Sequence, residues 1–369
     1  MSENLFVASR KGLFQFHRGS SRWEIADVSF RGDAVSIVLP DEGDGAIYAG
    51  MGLGHYGVKL RRSRDGGKTW TDIATPAFPK QPEGQSDTLP DGKPWPWRVE
   101  QIWALERGAK AGQLWCGTIG GGLFRSDDAG ESWELVSSLW NHPDRKKWFG
   151  GGAEMPGIHS ICVDPKDGRR VLLGVSCGGA WLSEDDGKSW RVVSHGMFAE
   201  FMPPARKFDP VIQDPHRIVQ CPAAPNRLWC QHHNGVFRSD DRGLNWNEVP
   251  NVTPAVFGFA VAVHPKDPDT AWLVPAQKDD QRVPVDAKVV VSRTRDGGKT
   301  WEPQRNGLPQ EHAYDITLRH ALDIDRTGNR LAFGSSTGGL WITENGGDGW
   351  AALSNHLPPI YSVRFGGVA

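Results

Sequence analysis

Three observations on the 369-residue chain predict an all-β fold, a seven-bladed β-propeller closed by its C-terminal strand. An octet of the form S-x-D-x-G-x-T-W occurs six times, counting one worn copy. The tryptophans that end the octets stand 63, 57, 56, 55 and 49 residues apart from Trp70 to Trp350. Between them run short β-branched and aromatic stretches bounded by Gly, Pro and Asp, with no useful helical periodicity. A repeat of ~40–50 residues is the length of one propeller blade, so residues 1–369 are expected to form a single domain.

The octets come first because they set the register of everything else. Ser63-Arg64-Asp65-Gly66-Gly67-Lys68-Thr69-Trp70 has the chemistry of a tight hairpin: Ser and Asp side chains bond the turn's own amides, Gly supplies the left-handed conformation, and Trp opens the next strand. Copies run from Ser126 to Trp133, Ser183 to Trp190, Ser239 to Trp246 and Thr294 to Trp301, with the worn sixth from Thr343 to Trp350. Asp65, Asp128, Asp185, Asp241 and Asp296 are accordingly expected to be structural.

These octets resemble the Asp-box of the BNR-repeat proteins, which include sialidases and relatives of the photosystem II stability/assembly factor. The resemblance covers the whole chain. It implies that each box caps the hairpin between the third and fourth strands of a blade, and it implies a fold rather than an activity. A sialidase would further need an early Phe-Arg-Ile-Pro segment, which this chain lacks, so no sialidase catalytic residue is carried over.

In chain order, Leu5–Ala8, Gly12–Phe16 and Trp23–Ala26 read as the second, third and fourth strands of a unit without a box. Its first strand is missing from the N-terminus, and Ile360-Tyr-Ser-Val-Arg-Phe365 resembles the first strands of the other units, so the C-terminal strand is expected to pair there and hide two sheet edges. Seven of the 17 tryptophans mark the repeat, and Trp103, Trp115, Trp181, Trp229, Trp272 and Trp341 fall inside strands, where packing between blades explains them. Trp95, Trp97, Trp140 and Trp148 lie on loops.

Composition narrows the partners. A net charge of -2 supplies no electrostatic footprint for nucleic acid or an anionic membrane surface. The N-terminus shows no targeting pattern and no 18-residue apolar run occurs, which reads as a soluble cytoplasmic chain. Five cysteines without C-x-x-C spacing suit buried free thiols in a reducing compartment.

With the boxes on one face, function is expected on the other, where the loops 74–97, 137–157 and 194–216 are long enough to wall a pocket. Aligning the inner strands places Glu100, His159, His216, Phe259, His320 and Tyr361 at one level of the channel mouth, with Arg319 adjacent and His232 and His233 looking in. Trp97 and Trp148 complete the candidate ligand-binding set, and Glu100 is the candidate catalytic carboxylate, with Glu154, Glu200, Asp209 and Asp315 as further acids nearby. His159, His216 and His320 are candidate ligands for a divalent metal ion, since imidazoles from separate strands need no local spacing. Two functional readings follow: a binding scaffold for a protein or small ligand at the mouth, and a glycosyl hydrolase or lyase acting on a carbohydrate-like substrate, with or without a metal.

Overall fold

The computed structural model describes residues 2–84, 86–151 and 153–366; Met1 and residues 367–369 of the expected domain lie outside these. Regular structure is almost entirely antiparallel β-sheet, in five four-stranded sheets and one eight-stranded sheet. The eight-stranded sheet is two four-strand runs, 101–135 and 157–192, joined where Gly157 pairs with Ile119. Each run is a meander: Ala34–Asp41 pairs with Ala46–Gly52, that strand with Val58–Ser63, and that one with Thr71–Ile73.

Each octet links a third strand to a fourth, and its hydrogen bonds explain its composition. In the first, Asp65 Oδ1 accepts from Ser63 Oγ (2.8 Å) and Thr69 N (2.9 Å), while Oδ2 accepts from Thr69 Oγ1 (2.6 Å). Ser63 Oγ in turn accepts from the amide of Gly67, whose φ of 95° is open to glycine and costly to other residues. The worn copy keeps the amide bonds, Gly347 N to Thr343 Oγ1 (3.1 Å) and Gly349 N to Asn345 Oδ1 (3.1 Å), but Asn345 replaces the aspartate and Gly349 has no hydroxyl to make the remaining bond.

The strand Ile360–Gly366 runs antiparallel to Asn4–Ser9, from Gly366 opposite Asn4 to Ile360 opposite Ser9. It therefore forms one edge of the sheet that continues through Gly12–Arg18 and Trp23–Ser29. On its other side Val363 N donates to His320 O (2.9 Å), tying it to the neighbouring sheet.

The core lies between sheets. Trp115, Trp181, Trp229, Trp272 and Trp341 are buried there, as interblade packing requires. Trp103 is the exception among the strand tryptophans: it is half-buried, carries the Arg319 guanidinium 4.8 Å from its ring centroid, and meets His159 edge-on at 5.4 Å. The loop tryptophans form a second aromatic mass. Trp140 meets Trp95 and Trp97 edge-on at 5.8 and 5.4 Å, and Trp148 meets Trp181 at 5.4 Å. Through them Arg145 threads its guanidinium over the rings of Trp140 (3.8 Å) and Trp95 (4.5 Å) to reach Asp87 at 2.8 Å.

Candidate functional site

Antiparallel meanders sort the connections. Octets and the turns between first and second strands share one face, whereas second-to-third links and sheet-to-sheet connections share the other, the mouth face.

The residues anticipated at the mouth fall into three groups. Trp97 and Trp148 pin loops: Trp148 is fully buried, and Trp97 is half-buried and donates its indole N–H to Asp87 Oδ2 (2.9 Å), so Trp148 has no ring face left for a ligand. Glu100 and Tyr361 are partly exposed, and Glu100 is paired with Arg98 at 2.7 Å. His159, His216, His232, His320 and Arg319 are buried and His233 is half-buried, but they do not assemble as the proposed His159, His216 and His320 set. His320 Nε2 sits 2.7 Å from the carbonyl oxygen of His159, so that nitrogen donates there and is not free for a metal. His159 Nδ1 faces Ser160 Oγ at 2.9 Å.

What does assemble is Asp214, His216 and His233, the one group of three or more His, Cys, Asp or Glu among the described residues whose ligand atoms all lie within 4.8 Å of one another. The strand Pro215–Gln220 positions His216, and the turn after Leu228–His232 positions His233. Asp214 immediately precedes the first of these strands, whose register shifts at His216. His216 Nε2 and His233 Nδ1 each lie 3.3 Å from Asp214 Oδ2. The other oxygen, Oδ1, accepts from Ser176 Oγ and from the Cys177 amide, both at 3.1 Å. Cys177 has a φ of 46°, a left-handed conformation that a non-glycine residue adopts at a cost. Gly151 passes over the group: a methyl placed on its Cα would stand 2.5 Å from Cys177 Sγ and 3.5 Å from Asp214 Oδ2.

Aromatic rings wall the group. His216 stacks on Phe259 with centroids 4.6 Å apart, and Phe257 meets both His216 and His233 edge-on, at 5.6 and 5.8 Å. Arg319 lies over the same Phe259 ring at 5.0 Å. Although buried, it has no hydrogen bond or ion pair to any described residue, and its Nε is wholly enclosed without a partner. His232 is spent on structure, its ring nitrogens lying 3.1 and 3.2 Å from the amides of Asp214 and Asn234.

Burial sets the protonation states. It pushes His216 below the usual imidazole range, His159 and His320 well below it, and His232 to about 3. It lowers Arg319 to about 10, which still leaves the guanidinium charged. For Asp214 burial works in the raising direction, but His216, His233 and Arg319 outweigh it and hold the carboxyl well below its usual range. At neutral pH the group holds a carboxylate beside the His216 imidazole, with the Arg319 cation nearby.

The opposite end of the channel, on the octet face, opens into a cavity of about 510 Å³ lined by Glu106, Arg217, Asp323 and Arg364 among others. Arg364 pairs with Glu106, and Asp323 accepts from the Phe365 amide at 2.7 Å. Sequence reasoning assigned nothing to this end, because its charges come from residues facing inward on strands that read as apolar.

No known protein-family profile matches the chain. Among curated proteins it is 25% identical over 287 residues to a probable oligoxyloglucan-reducing end-specific xyloglucanase of Neosartorya fischeri, covering 70% of this chain and 32% of that protein. It is 24% identical over 285 residues to the oligoxyloglucan-reducing end-specific xyloglucanase of Emericella nidulans, covering 70% and 33%. The chain thus spans about a third of the length of these relatives. Among solved structures, the GH74 xyloglucanase of Xanthomonas campestris superposes with a TM-score of 0.64 at 18% identity, over 99% of this chain and 52% of that one. YCF48 of Cyanidioschyzon merolae superposes with a TM-score of 0.57 at 15% identity, over 93% and 96%. The fold these comparisons share with the chain is the β-propeller that its Asp-box-like octets imply.

Proposed function

We propose that the chain is a seven-bladed, glycoside-hydrolase-like β-propeller of the cytoplasm, closed by strand 360–366, that takes an oligosaccharide at its mouth face. The eight-stranded sheet then counts as two blades, and the octets serve as Asp-boxes. The observation that carries the ligand class is where the exposed aromatics lie. Tyr56, Phe201, Phe208 and Tyr314 are all exposed, and all stand on second-to-third links or sheet-to-sheet connections, hence on one face. Aromatic rings displayed around a mouth with a polar floor are the usual means of stacking on sugar faces. The xyloglucanase relatives supply the class of sugar to try first, a xyloglucan oligosaccharide.

The test is titration with xyloglucan oligosaccharides followed by tryptophan fluorescence, with release of reducing ends measured in parallel. Phe208→Ala and Tyr314→Ala should each weaken binding about tenfold, the worth of ~1–1.5 kcal/mol of stacking. Glu100→Gln should cut turnover by about 100-fold if Glu100 is the general acid. Binding that survives both aromatic substitutions rejects the reading. A second reading is a propeller that binds a protein segment, as YCF48 does in a structure with a bound D1 peptide, here on the same face as the sugar; binding of an extended peptide without binding of any sugar would select it.

A further inference from the structure

We propose that Asp214, His216 and His233 bind one divalent first-row metal ion, and that Arg319 receives the carboxylate of a ligand completing its coordination. The proposal stands on the geometry of these side chains and does not depend on the oligosaccharide reading.

His216 Nδ1 lies 2.6 Å from the carbonyl oxygen of Gly258, an acceptor, so Nδ1 carries the proton and Nε2 presents a lone pair. That lone pair points at the Asp214 carboxylate, 3.3 Å away. A proton on Nε2 joins the two only by making a buried imidazolium, whereas a metal ion between them uses the lone pair and the carboxylate as they stand. His233 Nδ1 is 3.3 Å from the same oxygen, and its Nε2 faces Asp279 Oδ2 across 3.7 Å. One carboxylate oxygen thus has a ring nitrogen on either side, within reach of a single shared ion.

The spacing agrees. Ligand atoms ~2.0–2.1 Å from a tetrahedral ion stand ~3.3 Å apart, and both nitrogen–oxygen separations here are 3.3 Å. The surroundings agree too. Metal-bound imidazoles give their second N–H to a backbone carbonyl or a carboxylate, and metal-bound carboxylates are themselves hydrogen-bonded. Gly258 O and the Ser176–Cys177 pair fill two of these roles, and Asp279 stands 3.7 Å from His233 Nε2, a small ring movement from filling the third. Two histidines and one carboxylate leave coordination positions open, the mark of a site that receives a ligand.

Arg319 identifies that ligand's charge. A guanidinium buried without a partner is a costly arrangement unless an anion visits it. Its neighbours are two aromatic faces, Trp103 at 4.8 Å and Phe259 at 5.0 Å, and the second of these also carries His216. A flat, forked donor between rings matches a carboxylate.

The experiment uses the full chain stripped by chelator and titrated with cobalt(II), read by visible absorption and by metal analysis after dialysis. Wild type should take up one equivalent, and His216→Ala and His233→Ala should each lose it. Asp279→Asn, a milder change on a half-exposed side chain, should weaken uptake by about 10–100-fold. No uptake by wild type, or uptake unchanged in the variants that fold, overturns the metal site. Acetate should then shift the cobalt spectrum of wild type and leave that of Arg319→Met unchanged; a shift that persists in Arg319→Met overturns the carboxylate role. These readouts need no sugar, so failure here leaves the oligosaccharide reading standing, and failure there leaves the metal site standing.

Discussion

Replacing Arg145 by alanine tests how the mouth is held in shape. Arg145 is 3% exposed and serves three groups at once: Nη2 meets Asp87 at 2.8 Å, Nε donates to Trp140 O at 2.5 Å, and the guanidinium plane covers two indoles. Asp87, 7% exposed, would keep only the Trp97 indole N–H as a side-chain partner. Stranding one member of a buried ion pair costs about 3–5 kcal/mol, more than the ~1–2 kcal/mol of each lost cation–π contact. The two terms overlap, so the expected loss is about 3–5 kcal/mol, measured as a shift of the urea midpoint at constant slope. The double variant Arg145→Met, Asp87→Asn removes both charges and should recover more than half of that loss. Because Arg145 joins loop 74–97 to loop 137–157, hydrogen exchange should also accelerate in both loops and leave the sheets protected. A single variant within about 1 kcal/mol of wild type, with both loops still protected, refutes the pairing as the source of their order.

Other substitutions probe separate links. Asp185→Ala deletes three hydrogen bonds at a half-exposed turn and should cost about 1–2 kcal/mol by urea unfolding without changing ligand affinity at the mouth; loss of affinity at full stability would refute the division of faces. Asp323 is raised to about 6, chiefly by burial, so the unfolded chain ionises first and stability should fall as pH rises from about 4 through 6. Asp323→Asn should therefore be the more stable protein at pH 8, by about 2–3 kcal/mol, and lose that advantage towards pH 4; an equal advantage at both pH values would contradict it. A chain ending at residue 359 leaves Asn4–Ser9 as an open edge and should aggregate on light scattering, whereas a monomer with unchanged melting would show the strand is dispensable. Gly151→Ala places a methyl against Cys177 and should abolish cobalt uptake with little change in melting.

The octets made the sheet framework legible because their chemistry is local: Ser, Asp and Gly satisfy one turn within eight residues, so each copy reports its own hairpin. The C-terminal pairing was legible from likeness among first strands, a repeat argument that does not need contact information. The mouth was not legible to the same degree. His216 and Arg319 were found because inner strands converge, but nothing singled out Asp214 within loop 194–216, and nothing in the sequence tells that His320 turns to the His159 carbonyl while His233 turns to Asp214. Those choices depend on which neighbouring carbonyl captures a ring N–H, a tertiary fact. Trp148 misled for the converse reason: a tryptophan on a long loop reads as a ligand platform until its partners Trp181 and Trp95 with Trp140 are seen to make a core of their own.

The pairing of residues 360–366 with residues 4–9 also sets an order on synthesis. A ribosome adds roughly 5–20 residues per second, so the second, third and fourth strands of that sheet exist for tens of seconds before residue 360 is made. Every other sheet draws its strands from one stretch of chain and completes itself as that stretch emerges. The first strands to be made are thus among the last to be satisfied, with a loop of more than 350 residues to close before Asn4 meets Gly366. During that interval Asn4–Ser9 offers a free edge to any strand that passes, including its counterpart on a neighbouring ribosome, and the vulnerability belongs to the nascent chain alone.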